Sequence, residues 1–282
     1  EAFIKLGEYM KFVSESDETL KNLNSEQSEN IKVLQDLVNN YQYTNPWFIP
    51  ENIKLSLDAI SNSLASDKLE LWLRKYKDQL ENKNNVLTIG VVMAGNIPLV
   101  GFQDFFNVLI SGNKFLGKLS SDDNKLCPAL YKLLVSIEPG FKEMALFKDE
   151  RLSGFDAIIA TGSDNTARYF EYYFGKYSNI IRKNRNGVAV LSGKENVEEL
   201  RSLGQDIFAY YGLGCRNVSK IYIPPSFSFE LFFNALKDYD YVVENSKYKN
   251  NYDYYKSIYL LNKEDFKDNG FLILSENENI SS

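Results

Sequence analysis

The chain has 282 residues, 44% of them hydrophobic, and carries 38 acidic against 32 basic side chains for a formal charge of -6. At roughly 150 residues per domain this is enough for one main domain and a smaller one, while basic residues scattered over an acidic chain exclude a nucleic-acid binder, which needs a concentrated positive surface. There is no histidine, which removes Ser-His-Asp and Cys-His pairs and the usual zinc sites; no metal is expected, and chemistry falls to Cys, Lys, Asp, Glu, Tyr or a cofactor.

The first eighty residues read as helical. Ile31, Leu34, Leu37 and Val38 recur at helical spacing from Ser25 to about Asn40, and Ile53, Leu57, Ile60 and Leu64 follow the Asn45-Pro46 turn and the Pro50-Glu51 start. A third helix is predicted over 67–79, with a polar linker over 81–85 after it. The run Val86 to Met93 is apolar and rich in β-branched residues, as a strand buried on both faces of a parallel sheet requires. A loop, Ala94-Gly95-Asn96-Ile97-Pro98, leads to a helix over 102–111 and a strand over 114–119, a βαβ unit. A helix over 124–136, strands over 143–147 and 156–160, and a helix from about Asp164 continue the alternation. From Asn186 the order is strand 188–191, helix 197–211, strand 220–223 and helix 229–237. The stretch 247–255, dense in Lys, Asn and Tyr, reads as a solvated loop, 257–261 and 271–274 as late strands, and 276–282 as a polar end. The predicted fold is α/β, with a doubly wound sheet. No apolar run approaches the roughly 20 residues that span a bilayer, and the amino terminus lacks a basic-then-apolar signal pattern, so a cytoplasmic protein with no membrane span is expected.

Two segments carry chemistry. Thr161-Gly162-Ser163 sits where an apolar strand gives way to a helix, a turn whose amides suit a dinucleotide pyrophosphate and equally suit an ordinary helix cap. Gly212-Leu213-Gly214-Cys215 places a thiol after two glycines that allow close backbone approach; the alternative is a buried apolar cysteine, a description that fits Cys127 in its amphipathic helix better. Both cysteines are expected to be free thiols.

From about Asn45 to about Leu261 these motifs, in this order, resemble the aldehyde dehydrogenase superfamily, and their wording is similar to the acyl-CoA reductase branch related to the reductase subunit of bacterial luminescence systems. The resemblance implies an aldehyde-dehydrogenase-like fold, with the N-terminal helices and a Rossmann-type cofactor domain over 1–185 and a smaller α/β catalytic domain over 186–282, incomplete at its carboxyl end because the superfamily usually continues further. It gives Cys215 the role of nucleophile and Asn96 that of oxyanion donor. Lys118 and Ser120 would hold the adenosine ribose, Lys118 favouring NADPH by meeting a 2′-phosphate, and Thr161, Gly162 and Ser163 would form the pyrophosphate turn. Lys220 stands where the family usually has Arg. The segment Ile180 to Gly187 replaces the family's Glu-Leu-Gly-Gly motif and contains no glutamate, which implies a reductase that keeps its thioester rather than an aldehyde oxidase. Arg182, Lys183 and Arg185 are read as a solvated basic run, with cofactor or CoA phosphates as the alternative. The implied reaction is NADPH-dependent reduction of a long-chain acyl-CoA to the aldehyde, in a homo-oligomer or with reductase-complex partners. An acyl phosphate or short acyl-CoA as donor, and a catalytically silent partner-binding relative, stay open.

Overall fold

A computed structural model describes residues 1–15, 23–82 and 85–278; parts of the predicted linker 81–85 and polar end 276–282 lie outside the described residues. The chain divides into two units, Glu1–Asn184 and Arg185–Ser282.

In the first unit five helices precede the sheet: α1 (Ala2–Glu15), α2 (Ser25–Asn40), α3 (Pro50–Ser63), α4 (Ser66–Arg74) and α5 (Lys77–Glu81). Their starts are written locally. Asn24 and Gln27 form a reciprocal capping box on α2, and Pro50 opens α3, where its missing amide hydrogen costs nothing. The single helix predicted over 67–79 is instead α4 and α5, because the chain turns at Lys75 and Tyr76. Phe3, Leu6 and Met10 of α1 and Ile53 and Leu57 of α3 share one buried core with the later sheet and its helices. Each such side chain contributes about 1.5–3 kcal/mol on leaving water.

The sheet is built from β1 (Thr88–Val92), β2 (Lys114–Lys118), β3 (Ala145–Lys148), β4 (Ala157–Thr161) and β5 (Ser178–Arg182), with α6 (Phe102–Ile110), α7 (Leu126–Ile137) and α8 (Asp164–Phe174) between strands. All pairs are parallel and the order is β3-β2-β1-β4-β5. The chain therefore starts mid-sheet, winds outward through β2 and β3, and returns to the other side of β1, creating a topological switch point between β1 and β4. Sequence reading missed β5. As an edge strand it leaves Ser178, Asn179 and Ile180 exposed, so it lacks the continuous apolar run that marks a central strand.

The second unit comprises β6 (Gly187–Val190), α9 (Val197–Phe208), β7 (Val218–Tyr222), α10 (Phe229–Ala235), α11 (Ser246–Asn262), β8 (Phe266–Asp268) and β9 (Ile273–Ser275). Strands β6 and β7 pair in parallel across α9, and β8 and β9 form an antiparallel hairpin. Leu200, Leu203, Phe208, Phe232, Leu236 and Phe271 form the core. The expected loop over 247–255 and strand over 257–261 are wrong: both belong to α11. Asn245 caps this helix by accepting from the Lys247 and Tyr248 amides. Its inward face is made of tyrosines, and Tyr248 and Tyr252 donate hydroxyls to the Phe271 carbonyl and to Asp268 while Tyr259 bonds Ser275. A face whose rings are buried or half-buried and whose hydroxyls are satisfied by a hairpin has little apolar contrast in sequence.

Gly187 shows how tightly β6 meets the segment entering β7. Its amide donates to the Asn217 carbonyl at 2.8 Å, and an added Cβ would stand 2.6 Å from the Arg216 oxygen and 2.8 Å from that of Asn217. Gly187→Ala is expected to destabilise the protein by about 2 kcal/mol, as over-packing against backbone does, read as a lower midpoint of urea unfolding.

No helix among the described residues is long and apolar enough to cross a membrane.

Candidate active site

In the first unit six of the seven residues singled out from sequence meet at one edge of the sheet. Val92 lies beside Lys118 on one side and Ala160 on the other, so the carboxyl ends of β1, β2 and β4 align. Beyond them come Asn96 after β1, Lys118 and Ser120 at the end of β2, and Thr161, Gly162 and Ser163 after β4. In open α/β sheets ligands occupy the crevice at this edge, at the switch point.

Their chemistry differs. Asn96 is exposed on the loop before α6. Gly95 packs so closely on Ser120 that an added Cβ would overlap its hydroxyl, which locks the β1 and β2 loops together; Ser120 Oγ also accepts from the Asp122 amide. Lys118 and Thr161 are half-buried. The Gly162 amide donates to the Arg182 carbonyl, and the Ser163 hydroxyl caps α8 by accepting from the Thr166 amide at 3.3 Å. Gly162 and Ser163 thus serve the fold in the first instance, and an anion at this turn would meet the amides of the first turn of α8.

The basic run is not a solvated face throughout. Arg182 makes a two-pronged ion pair with Asp104 of α6, at 2.6 and 2.9 Å, and Asp104 is buried, so edge strand β5 is clamped to α6. Lys183 pairs with Glu171 at 3.0 Å; Arg185 is exposed.

The two thiols separate cleanly. Cys127 is buried in α7, and burial, aided by the charge of Asp123, pushes its thiol well above the usual range, so it supplies no thiolate near neutral pH. Cys215, in the second unit, is exposed. It follows three successive left-handed residues, Tyr210 (φ 52), Tyr211 (φ 59) and Gly212 (φ 78). For each tyrosine that conformation costs about 1–2 kcal/mol, and strain of this kind collects where a turn must present a side chain. Lys220, five residues on, reaches the Asn277 carbonyl and lies over the Tyr222 ring.

The Cys215 turn is held by a residue to which sequence reasoning gave no role. Asn217 is buried; its Oδ1 accepts from the Gly214 amide at 2.7 Å, and its Nδ2 donates to the Asp206 carbonyl at 2.8 Å and the Ile207 carbonyl at 3.4 Å. Its own amide closes the turn onto the Gly214 carbonyl at 3.0 Å. The thiol is therefore fixed between the end of α9 and the start of β7. No residue pattern around Asn217, in Gly214-Cys215-Arg216-Asn217-Val218-Ser219, marks this role. Asn217→Ala is expected to cost about 2–3 kcal/mol, at roughly 1 kcal/mol per lost hydrogen bond, and to change the alkylation rate of Cys215 by iodoacetamide; Asn217→Asp, which sets a buried carboxylate oxygen against the Asp206 and Ile207 carbonyls, should cost at least as much.

Asp123 is the other residue overlooked. It is buried just before α7, and its Oδ2 accepts from the Leu99 amide at 2.8 Å, while Oδ1 has no hydrogen-bond partner among the described residues. Burial pushes its carboxyl up to about 6, the Leu99 and Leu126 amides offsetting this only in part. Among the described residues no group of three or more His, Cys, Asp or Glu could hold a metal ion.

No protein-family model matches the sequence, and no curated protein matches it. Solved structures do match the fold. Aldehyde dehydrogenase 21 from Physcomitrella patens, in complex with the reaction product succinate, has a TM-score of 0.56 at 13% identity over 82% of this chain and 52% of that one. An NAD-dependent benzaldehyde dehydrogenase from Corynebacterium glutamicum gives 0.54 at 11% identity over 83% and 53%. Glyceraldehyde-3-phosphate dehydrogenase from Methanocaldococcus jannaschii, complexed with NADP, gives 0.50 at 16% identity over 82% and 58%. The chain spans about half the length of these structures and has the aldehyde-dehydrogenase-like α/β fold, with its Rossmann-type parallel sheet.

Proposed function

We propose that the protein reduces a long-chain acyl-CoA to the aldehyde with NADPH, through a thioester on Cys215. The observation that carries the reading is an exposed thiol on a strained turn pinned by Asn217, in a chain with an aldehyde-dehydrogenase-like fold. The resemblance of Gly95-Asn96-Ile97-Pro98 and of Gly212 to Cys215 to the aldehyde dehydrogenase superfamily's oxyanion loop and nucleophile segment supports the thioester, and the lack of a glutamate in 180–187 favours a reductase.

A dinucleotide suits the donor set at the switch point. Lys118 offers a cation at the end of β2, Ser120 and Thr161 offer hydroxyls, and α8 offers its first-turn amides beside Gly162 and Ser163. Lys118 favours the 2′-phosphate of NADPH. When bound, NADPH supplies two electrons and a hydrogen as hydride.

The chain's own residues perform the acyl transfer. The Cys215 thiolate attacks the thioester carbonyl, and the Cys215 amide donates to the oxyanion; the resemblance gives Asn96 the part of a second donor. The bond to the CoA sulfur breaks and CoA leaves as a thiolate. With hydride supplied by bound NADPH, Cys215 Sγ would leave the reduced acyl carbon as a thiolate, releasing aldehyde. Thiolates leave near neutral pH without a histidine acid, so a chain with no histidine can complete both steps.

Exposure to palmitoyl-CoA followed by mass spectrometry tests this. The expected result is a gain of one acyl group, mapped to Cys215 and discharged by NADPH. An adduct on another residue, or none, removes the reading.

A further inference from the structure

We propose that Asp123 is a positioning residue for this site: its carboxylate holds the Leu99 amide and thereby fixes the loop that carries Asn96. The inference rests on the reading of Asn96 as the oxyanion donor, and its ground is the geometry of the loop between β1 and α6.

Leu99 is buried with φ 59, a backbone conformation that a leucine rarely adopts. Its amide, turned inward by that conformation, must find an acceptor, and Asp123 Oδ2 provides it at 2.8 Å. Three residues earlier in the same loop is Asn96. The loop is thus seated twice on the segment after β2, once through Gly95 against Ser120 and once through Leu99 against Asp123. That segment is itself braced from the N-terminal helical region: Asn45 Nδ2 donates to the Asp122 carbonyl at 3.3 Å, and the Asn124 amide donates to the Tyr41 hydroxyl at 3.1 Å. A chain of contacts therefore runs from Tyr41 and Asn45 through the 122–124 turn to Leu99 and the Asn96 loop, all within the first unit.

A fold needing only an acceptor here would be served by an uncharged side chain. A carboxylate makes the stronger bond to an amide, and keeping one buried with its second oxygen unsatisfied is a local violation of the kind found at functional sites.

Hydrogen exchange and steady-state kinetics on the full chain test the proposal separately from the reaction. In Asp123→Ala, exchange of peptides covering 94–101 is expected to rise, and kcat with acyl-CoA to fall by about 10²-fold, the usual effect of a misplaced catalytic group, with KM little changed. Asp123→Asn, which keeps an acceptor but gives up the charge and with it the stronger bond to the Leu99 amide, is expected to restore both only in part. Should Asp123→Ala fail to fold, Asp123→Leu fills the site without an acceptor and is read the same way. Unchanged exchange over 94–101 overturns the proposal, and so does a loosened loop with unaltered kcat. Loop loosening in a protein that turns over no acyl-CoA supports the anchor and defeats the reaction assigned to the site.

Discussion

Cys215→Ala is expected to abolish acyl-CoA-dependent NADPH oxidation and the acyl mass gain together, while leaving the unfolding midpoint close to wild type. The thiol is exposed, so its removal opens no core cavity, and the bonds that hold the turn come from Asn217 and the main chain rather than from sulfur. Under the proposed mechanism Asn96→Ala slows the same acylation step that Cys215→Ala abolishes. Losing one oxyanion donor costs about 10²- to 10³-fold in rate, so that variant should still collect acyl groups on Cys215, only slowly. The pair separates roles: no adduct without the nucleophile, a delayed adduct without the donor. NADPH oxidation surviving in Cys215→Ala would mean that the carbonyl is reduced without being tethered, and the covalent mechanism would fall.

Much of the fold was legible because its interior is written in simple periods. Central strands β1 and β4 are short apolar runs and β2 is apolar at its centre, and the helices of the first eighty residues repeat apolar side chains at three and four. What escaped lies where burial is one-sided or uses polar atoms. Strand β5 is an edge with three of its five residues exposed, and α11 packs through tyrosines whose hydroxyls bond the β8–β9 hairpin, so neither looks apolar in sequence. The same division runs through the site. Asn96, Lys118 and Cys215 could be named from motif resemblance, since they follow glycines and strand ends. Asn217 and Asp123 could not be given roles, because their partners are backbone groups: Gly214, Asp206 and Ile207 for one, Leu99 for the other. Which amide turns toward a side chain depends on a φ value, and no residue pattern announces that Leu99 lies at +59°. The basic run misled for a related reason: Arg182 meets a carboxylate 78 positions away.

Asp123→Asn is expected to stabilise the protein at neutral pH and to leave it nearly unchanged at about pH 4. The sign follows from the carboxyl's folded value of about 6 against an unfolded 3.8. Between those values the folded state keeps a proton that the unfolded state has released, so stability falls as pH rises and the loss is complete above about 6. Two pH units correspond to about 3 kcal/mol, or roughly 6–12 °C in melting temperature for a unit of this size. Nothing nearby compensates. Tyr41, pushed up to about 12, and Cys127, pushed well above its usual range, both face the carboxylate as neutral groups, and no cation pairs with it among the described residues. Asp268 in the second unit titrates in the opposite sense, held low by its bonds to Lys256 and Tyr252, so the quantity to measure is the difference between variant and wild type across pH 4 to 8. A difference that is flat over that range would mean the buried carboxylate does not titrate there. A difference that grows and levels off above about pH 6 would show a protein giving up stability at working pH to keep a charged acceptor under Leu99, a trade that makes sense only if the loop above it has work to do.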